Sequence, residues 1–212
     1  MERFQNTGQP DWDWWSKLWP TPGATLRKLG IGTSKSVAEV GCGSGYFVLP
    51  ATRIVEPDPV YALDLDEVLL TELDRLAEQQ NIENVVPIHD DARNLPEVLP
   101  ERVDTLVVAN TFHGIDEQAK FVQNAFDTIE PHGSLVIINW HERPRETTTV
   151  EGQPRGPRLN FEWHPERPKI PCARHRRSYS VGRSICRRIT TDSYSSVKLS
   201  HFLISRPLPL TD

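Results

Sequence analysis

The chain is short of cysteine, lysine and long hydrophobic runs, and each shortage narrows what it can be. Three cysteines in 212 residues, Cys42, Cys172 and Cys186, make an odd count without paired spacing. That argues against a disulfide framework and against a zinc module. Cys172, His175 and Cys186 taken together also lack any standard metal-ligand spacing. No stretch approaches the roughly 18–20 consecutive apolar residues of a membrane span. The opening MERFQNTGQPDWDWW has none of the apolar centre that a secretory signal carries. A soluble, cytoplasmic protein with no metal and no membrane partner is the expectation. Lysine, at 6, is outnumbered by arginine, at 18. With an acidic body this points to a high-salt organism or a GC-rich genome, and composition does not separate the two.

Charge is split along the chain. Residues 1–150 carry 12 Lys+Arg against 24 Asp+Glu, and residues 151–212 carry 12 against 5. The acidic body is a poor electrostatic partner for nucleic acid. The length suits one domain with a full core, plus a tail.

Between about residues 36 and 140, short apolar runs alternate with amphipathic stretches. SVAEV (36–40), VYALD (60–64), VVPIH (85–89), DTLVVAN (104–110) and SLVIINW (134–140) read as strands. YFVLPATRIV reads as a helix with Pro50 in its early part. DEVLLTELDRLAEQQ places Val68, Leu69, Leu73 and Leu76 at helical spacing, with acidic residues in its first turn. DEQAKFVQNAFDTI gives a third helical seam of Ala119, Phe121, Val122, Ala125, Phe126 and Ile129, and PHG reads as a turn. Strands apolar on both faces, joined by helices, predict an α/β, doubly wound, mostly parallel sheet. Ligands in such sheets bind beyond the carboxyl ends of the strands. That directs attention to the turn after residue 40, to Asp64, to the segment after His89 and to Asn110.

The first of these turns reads Glu39-Val40-Gly41-Cys42-Gly43-Ser44-Gly45. Its glycines permit a tight bend and close approach of a ligand to the backbone, ahead of a helix N-terminus. A GxGxG turn by itself is a weak signal and is also compatible with a purely structural bend. A dinucleotide fingerprint needs a third glycine where Tyr46 stands, which disfavours an NAD(P)-dependent oxidoreductase.

VAEVGCGSGYF, Asp64 at the end of the second strand, the Asp91-Ala92 pair after the third, Asn110 after the fourth and the PxG turn before the fifth occur in one order. In that order, over about residues 25–142, the chain resembles the class I S-adenosylmethionine-dependent methyltransferases. The resemblance implies their Rossmann-like fold, S-adenosyl-L-methionine as cofactor, and methyl transfer, with a small-molecule acceptor expected. In general pattern it leans toward the quinone-biosynthesis and arsenite branch. It implies cofactor contacts at Glu39, Gly41, Cys42, Gly43, Gly45, Asp64, Leu65, Asp91, Ala92 and Asn110. Glu39 suits the cationic methionyl end, and the glycines clear room for its backbone-like portion. Asp64 can accept from the ribose hydroxyls while Leu65 packs on the adenine. Asp91 can accept from the adenine amino group, with Ala92 leaving space beside the ring. Each acid alone is as readily a solvated surface group; three at successive strand ends form a pattern.

A sulfonium is already an activated leaving system, so the protein needs chiefly to align the reactants and keep water out. A base matters when the acceptor must lose a proton. His113, in NTFHGI past the fourth strand, is the candidate, alongside the plainer reading of a polar residue starting a helix; His141 is weaker. The Asn-Pro-Pro-Tyr motif of amino-group DNA methyltransferases is absent, and Cys42, inside the turn, is no catalytic nucleophile. In DWDWWSKLWP, Trp12, Trp14, Trp15 and Trp19 make an aromatic lid, with Trp14 or Trp15 facing an apolar or cationic acceptor. The alternative is that two or more of them anchor a helix to the sheet.

Three regions are expected: a Trp-rich helical lid at 1–35, the cofactor-binding domain at 36–145, and a basic Arg/Pro/Ser-rich tail at 146–212. The fold class normally adds two strands after the fifth. In the tail, HFLIS (201–205) alone resembles one. Arg, Pro and Ser are what GC-rich DNA yields out of frame, and permitted codons for Arg183–Ser195, shifted, read VDLPPYHYGLIF. On that reading the tail is out of frame or disordered, and the C-terminal strands are missing or degraded. A cofactor-binding or nucleic-acid-binding protein without methyltransferase activity stays open as the alternative. The oligomeric state is not legible.

Overall fold

In a computed structural model, the described residues are 12–33, 35–140, 149–150, 153–154, 177–181 and 184–190, with side chains described as far as residue 139 except those of Trp14 and His113. Five parallel strands form where the apolar runs lie: β1 Val37–Val40, β2 Val60–Asp64, β3 Val85–His89, β4 Val103–Ala109 and β5 Ile129–Trp140. Their order is β3-β2-β1-β4-β5. Every residue of β1 is buried, as expected for a strand covered on both faces. β5 is longer than the run 134–140, because Glu130–Gly133 stay within the strand behind a register shift against β4. His132 takes up that irregularity at a φ of 70°.

Six helices cover the sheet: α1 Trp12–Leu18, α2 Pro22–Lys28, α3 Val48–Val55, α4 Glu67–Gln79, α5 Leu95–Val98 and α6 Gln118–Asp127. On one face, α2, α3 and α4 pack with Trp19, Val37, Val60, Val107 and Val136; on the other, α5 and α6 pack with Val40, Leu63, Val108 and Ile137. Pro50 is tolerated because it falls in the first turn of α3, where its missing N–H would have no helical partner. α4 starts where Asp66 caps it, the side chain accepting from Val68 N at 3.0 Å. Its buried stripe is Leu70, Leu73 and Ala77, whereas Val68 is 76% exposed. This corrects the expected seam: at 100° per residue Val68 lies about 200° round the helix from Leu70, away from the sheet. The α6 seam holds at Phe121, Val122, Ala125 and Phe126, while Ala119 is exposed.

The sheet continues past β5, which corrects the expectation of missing C-terminal strands. β8 Arg177–Val181 and β9 Ser184–Thr190 extend it, β9 antiparallel to β5 from Ser134↔Thr190 to Trp140↔Ser184, and β8 antiparallel to β9. The edge of β5 is thereby paired rather than open. Only Gly182-Arg183 separates the two strands in sequence, a hairpin spacing, and Tyr179, Val181, Ile185 and Ile189 favour extended backbone. Sequence reading missed the pair because backbone pairing needs no continuous apolar run. A two-residue pair, β6 Thr149–Val150 with β7 Gln153–Pro154, lies apart from the main sheet. HFLIS, the segment expected to form a strand, lies outside the described residues, as does most of the tail read as out of frame. Among the described residues no helix is long and apolar enough to cross a membrane, and no group of three metal-ligating side chains occurs.

Candidate cofactor site

Strand order reverses between β1 and β4, so the chain leaves these neighbours in opposite directions and opens a crevice at their carboxyl ends. The glycine turn lines one wall. Gly41 N and Cys42 N both donate to Leu63 O, at 2.8 and 3.2 Å, which hooks the turn to the end of β2. Gly41, Gly43 and Gly45 have φ of 68°, 56° and 89°, the left-handed region that a side chain resists. A Cβ at Gly41 would also run into the Thr111 side chain, whose hydroxyl donates to Val40 O at 3.2 Å. Gly41→Ala is therefore expected to lower stability by about 2–4 kcal/mol, from the positive φ and the clash together. Urea unfolding measures this; an unchanged midpoint would mean that the turn can rearrange.

Asp64 ends β2 beside the turn. Its Oδ2 accepts from Gly43 N at 2.7 Å and its Oδ1 from Asp66 N at 3.0 Å. Burial raises its pKa, and the N–H donors of Gly43 and Asp66 partly offset this. Glu39 is 4% exposed near the end of β1. Burial pushes its carboxyl well above the usual range, and the Asp64 charge adds to the effect. Cys42 is buried, its thiol donating to Gly43 O at 3.5 Å, and burial with the Glu39 and Asp64 charges pushes its pKa up. A thiolate nucleophile is not available there.

Asn110 follows β4 at a φ of 58°, its N donating to Ile138 O at 2.7 Å. Its Oδ1 is buried and has no hydrogen-bond partner among the described residues. Leu65 is 48% exposed next to Asp64. Past β3, Asp91 starts a short 3-10 turn, Ala92–Asn94, with Ala92 half-buried. Its carboxylate is engaged by Arg93, which holds it below the usual carboxylate range. His113 lies in a second 3-10 turn, Phe112–Gly114, immediately beyond Asn110 and Thr111.

The N-terminal helices reach this site. Trp12 Nε1 donates to Ser44 Oγ at 2.9 Å, and Tyr46 Oη donates to Trp19 O at 2.6 Å. Trp12 and Trp15 both pack on Tyr46, with ring centroids 5.4 and 6.2 Å away. Trp19 is fully buried against Phe47 and serves as an anchor. The expected sites thus gather at one edge of the sheet. Sequence reasoning passed over Thr111, Arg93 and the pairing of Trp12 with Ser44. Only the last left a signal: Trp12 and Trp15, three apart on a helix, share a face.

The strand order, with the glycine turn at its switch point, is the Rossmann-like α/β fold found in class I methyltransferases. Residues 37–133 match the family profile described as a methyltransferase domain. A SAM-dependent methyltransferase from Aquifex aeolicus superposes with a TM-score of 0.65 at 21% identity, over 82% of this chain and 91% of that one. An rRNA methylase from Streptococcus thermophilus gives 0.52 at 16%, over 78% and 91%. Coclaurine N-methyltransferase bound to N-methylheliamine and SAH gives 0.54 at 15%, over 75% of this chain and 50% of that one. At these identities the likeness speaks for the fold, which carries a ribosomal RNA enzyme and a small-amine enzyme alike. No functionally curated protein matches the chain in sequence.

Proposed function

We propose that this protein transfers a methyl group from S-adenosylmethionine to a small-molecule acceptor. The observation that carries the reading is a buried acceptor, Asn110 Oδ1, without a donor among the described residues at the switch point, beside the buried Glu39 carboxyl. Orphaned acceptors in a buried crevice cost free energy unless a ligand brings donors. The ammonium and sulfonium of S-adenosylmethionine bring both charge and N–H groups, so the residues fit the cofactor. Glu39 and Asn110 would hold its methionyl end against Gly41 and Gly43. Asp64 would take the ribose hydroxyls with the lone pairs left after Gly43 and Asp66, and Leu65 and Ala92 would flank the adenine beside Asp91. When bound, the cofactor supplies an activated methyl group. The chain's own task is then to orient the acceptor, exclude water with α1, and accept a proton at His113 where the acceptor must lose one.

The small-molecule class is supported by α1, whose Trp12 and Trp15 pack on Tyr46 beside the glycine turn and add apolar surface there. The acidic body argues against a nucleic-acid backbone. Calorimetry with S-adenosylmethionine, NADH and a DNA oligomer tests the reading; binding of NADH or DNA in place of S-adenosylmethionine would overturn it.

Glu39 supplies a pH test. A carboxyl with a raised pKa in the folded state binds its proton more tightly folded than unfolded. Its contribution to stability is full below the unfolded pKa and is lost as pH rises through the folded one. The ligand-free protein is expected to lose stability across that window, while S-adenosylmethionine affinity rises as Glu39 ionises. Glu39→Gln should flatten the loss and stabilise the ligand-free protein by about 1 kcal/mol or more at neutral pH, yet bind the cofactor more weakly. Thermal melts across about pH 4–8 with and without ligand decide it. A glutamine variant less stable at every pH would assign Glu39 to the fold alone.

A further inference from the structure

We infer that Arg93 is a positioning residue for adenine recognition, acting by holding the Asp91 carboxylate in a single orientation with one acceptor position free. This rests on the proposed role of Asp91 as acceptor of the adenine amino group. Asp91 and Arg93 fold onto each other across the 3-10 turn: Asp91 Oδ1 accepts from Arg93 N at 2.8 Å, and Oδ2 accepts from Arg93 Nε at 2.9 Å and from Nη2. A carboxylate offers about four lone-pair positions, so these three donors leave one. Nε and Nη2 converge on Oδ2 while the Arg93 backbone N holds Oδ1, so both oxygens are tied and the plane of the carboxylate is fixed as a single donor would not fix it.

The clamp is itself anchored. Asn124 Nδ2 on α6 donates to Arg93 O at 3.1 Å, so the turn cannot swing away from the sheet. Asp90 Oδ1 accepts from Asp91 N at 2.6 Å and from Asn94 Nδ2 at 3.0 Å, which pins the turn at both ends. Asp116 and Glu117, in the loop before α6, add negative charge near the guanidinium and keep it on this side. The Asp91 side chain is 18% exposed while that of Arg93 is 60% exposed, so the arginine covers the carboxylate from solvent. The remaining acceptor position suits an amino group and repels the 6-oxo group of hypoxanthine.

Titration calorimetry with S-adenosylhomocysteine and S-inosylhomocysteine tests this on the intact chain and on Arg93→Gln, Arg93→Lys and Asp91→Asn. The wild type is expected to prefer the adenine ligand by roughly 100-fold or more, since a site built around a donor rejects the analogue lacking it. Arg93→Gln should cut that preference about tenfold, Arg93→Lys should restore part of it, and Asp91→Asn should abolish it. Thermal melts confirm folding, and the lysine variant keeps the test available should the glutamine variant fold poorly. An equal loss of both ligands in Arg93→Gln would mean a structural role only and overturn the inference. Full preference in Arg93→Gln with none in Asp91→Asn would also overturn it while leaving the role of Asp91 standing. Full preference in Asp91→Asn would remove the role of Asp91 itself, and the inference with it.

Discussion

Asp64→Ala is expected to weaken S-adenosylmethionine binding by about 1–3 kcal/mol, roughly five- to 150-fold. Two losses combine. The ribose hydroxyls lose charge-assisted acceptors, and Gly43 N loses the Oδ2 partner now 2.7 Å away. The glycine turn keeps its other ties to β2 through Leu63 O, so the fold should survive. Asp64→Asn should fall between, because the amide oxygen still takes one of the two N–H donors. Calorimetry on the folded variants measures the effect. Wild-type affinity in a folded Asp64→Ala protein would remove the ribose role and with it the centre of the proposed site.

His113→Ala is expected to slow methyl transfer by about 10²–10⁴-fold while leaving cofactor affinity nearly intact. The backbone around it fixes the turn beside the crevice. Gly114 N donates to Thr111 O at 2.9 Å and Gln118 Nε2 to Phe112 O at 2.9 Å, so the turn carrying His113 is held against the end of β4. Thr111 in turn lies against Gly41, which places this turn next to the glycine wall of the crevice. Normal turnover in the alanine variant would return His113 to a structural role.

The expected strands and the glycine turn were legible for different reasons. VYALD announces itself because a strand buried on both faces has to be apolar throughout; VVPIH is apolar enough to read the same way, although β3 at the sheet edge is only partly buried. Gly41, Gly43 and Gly45 announce themselves because a left-handed backbone needs glycine. Asp64, Asp91 and Asn110 were legible as the polar residues ending apolar runs. Helical seams were less secure: the stripe of α4 could be drawn through Val68 as easily as through Leu70, because α4 has more apolar residues than one face can bury. The β8–β9 pair was hidden because its residues are mostly polar in type, and it is the pairing of β9 with β5 and of β8 with β9 that makes them strands.

The sequence by itself determined the sheet class, the turn and the chemistry of the strand ends, since these follow from backbone conformation and from periods of a few residues. Tertiary structure decided what those residues touch. Thr111 closes on Gly41 across 70 positions, Trp12 reaches Ser44 across 32, and Arg93 meets Asn124 across 31. The reason is physical: such contacts depend on which strands pair, in what register, and how each helix crosses back over the sheet. A run of residue types does not encode those distances locally; they emerge only when the two faces of the sheet bury their helices together.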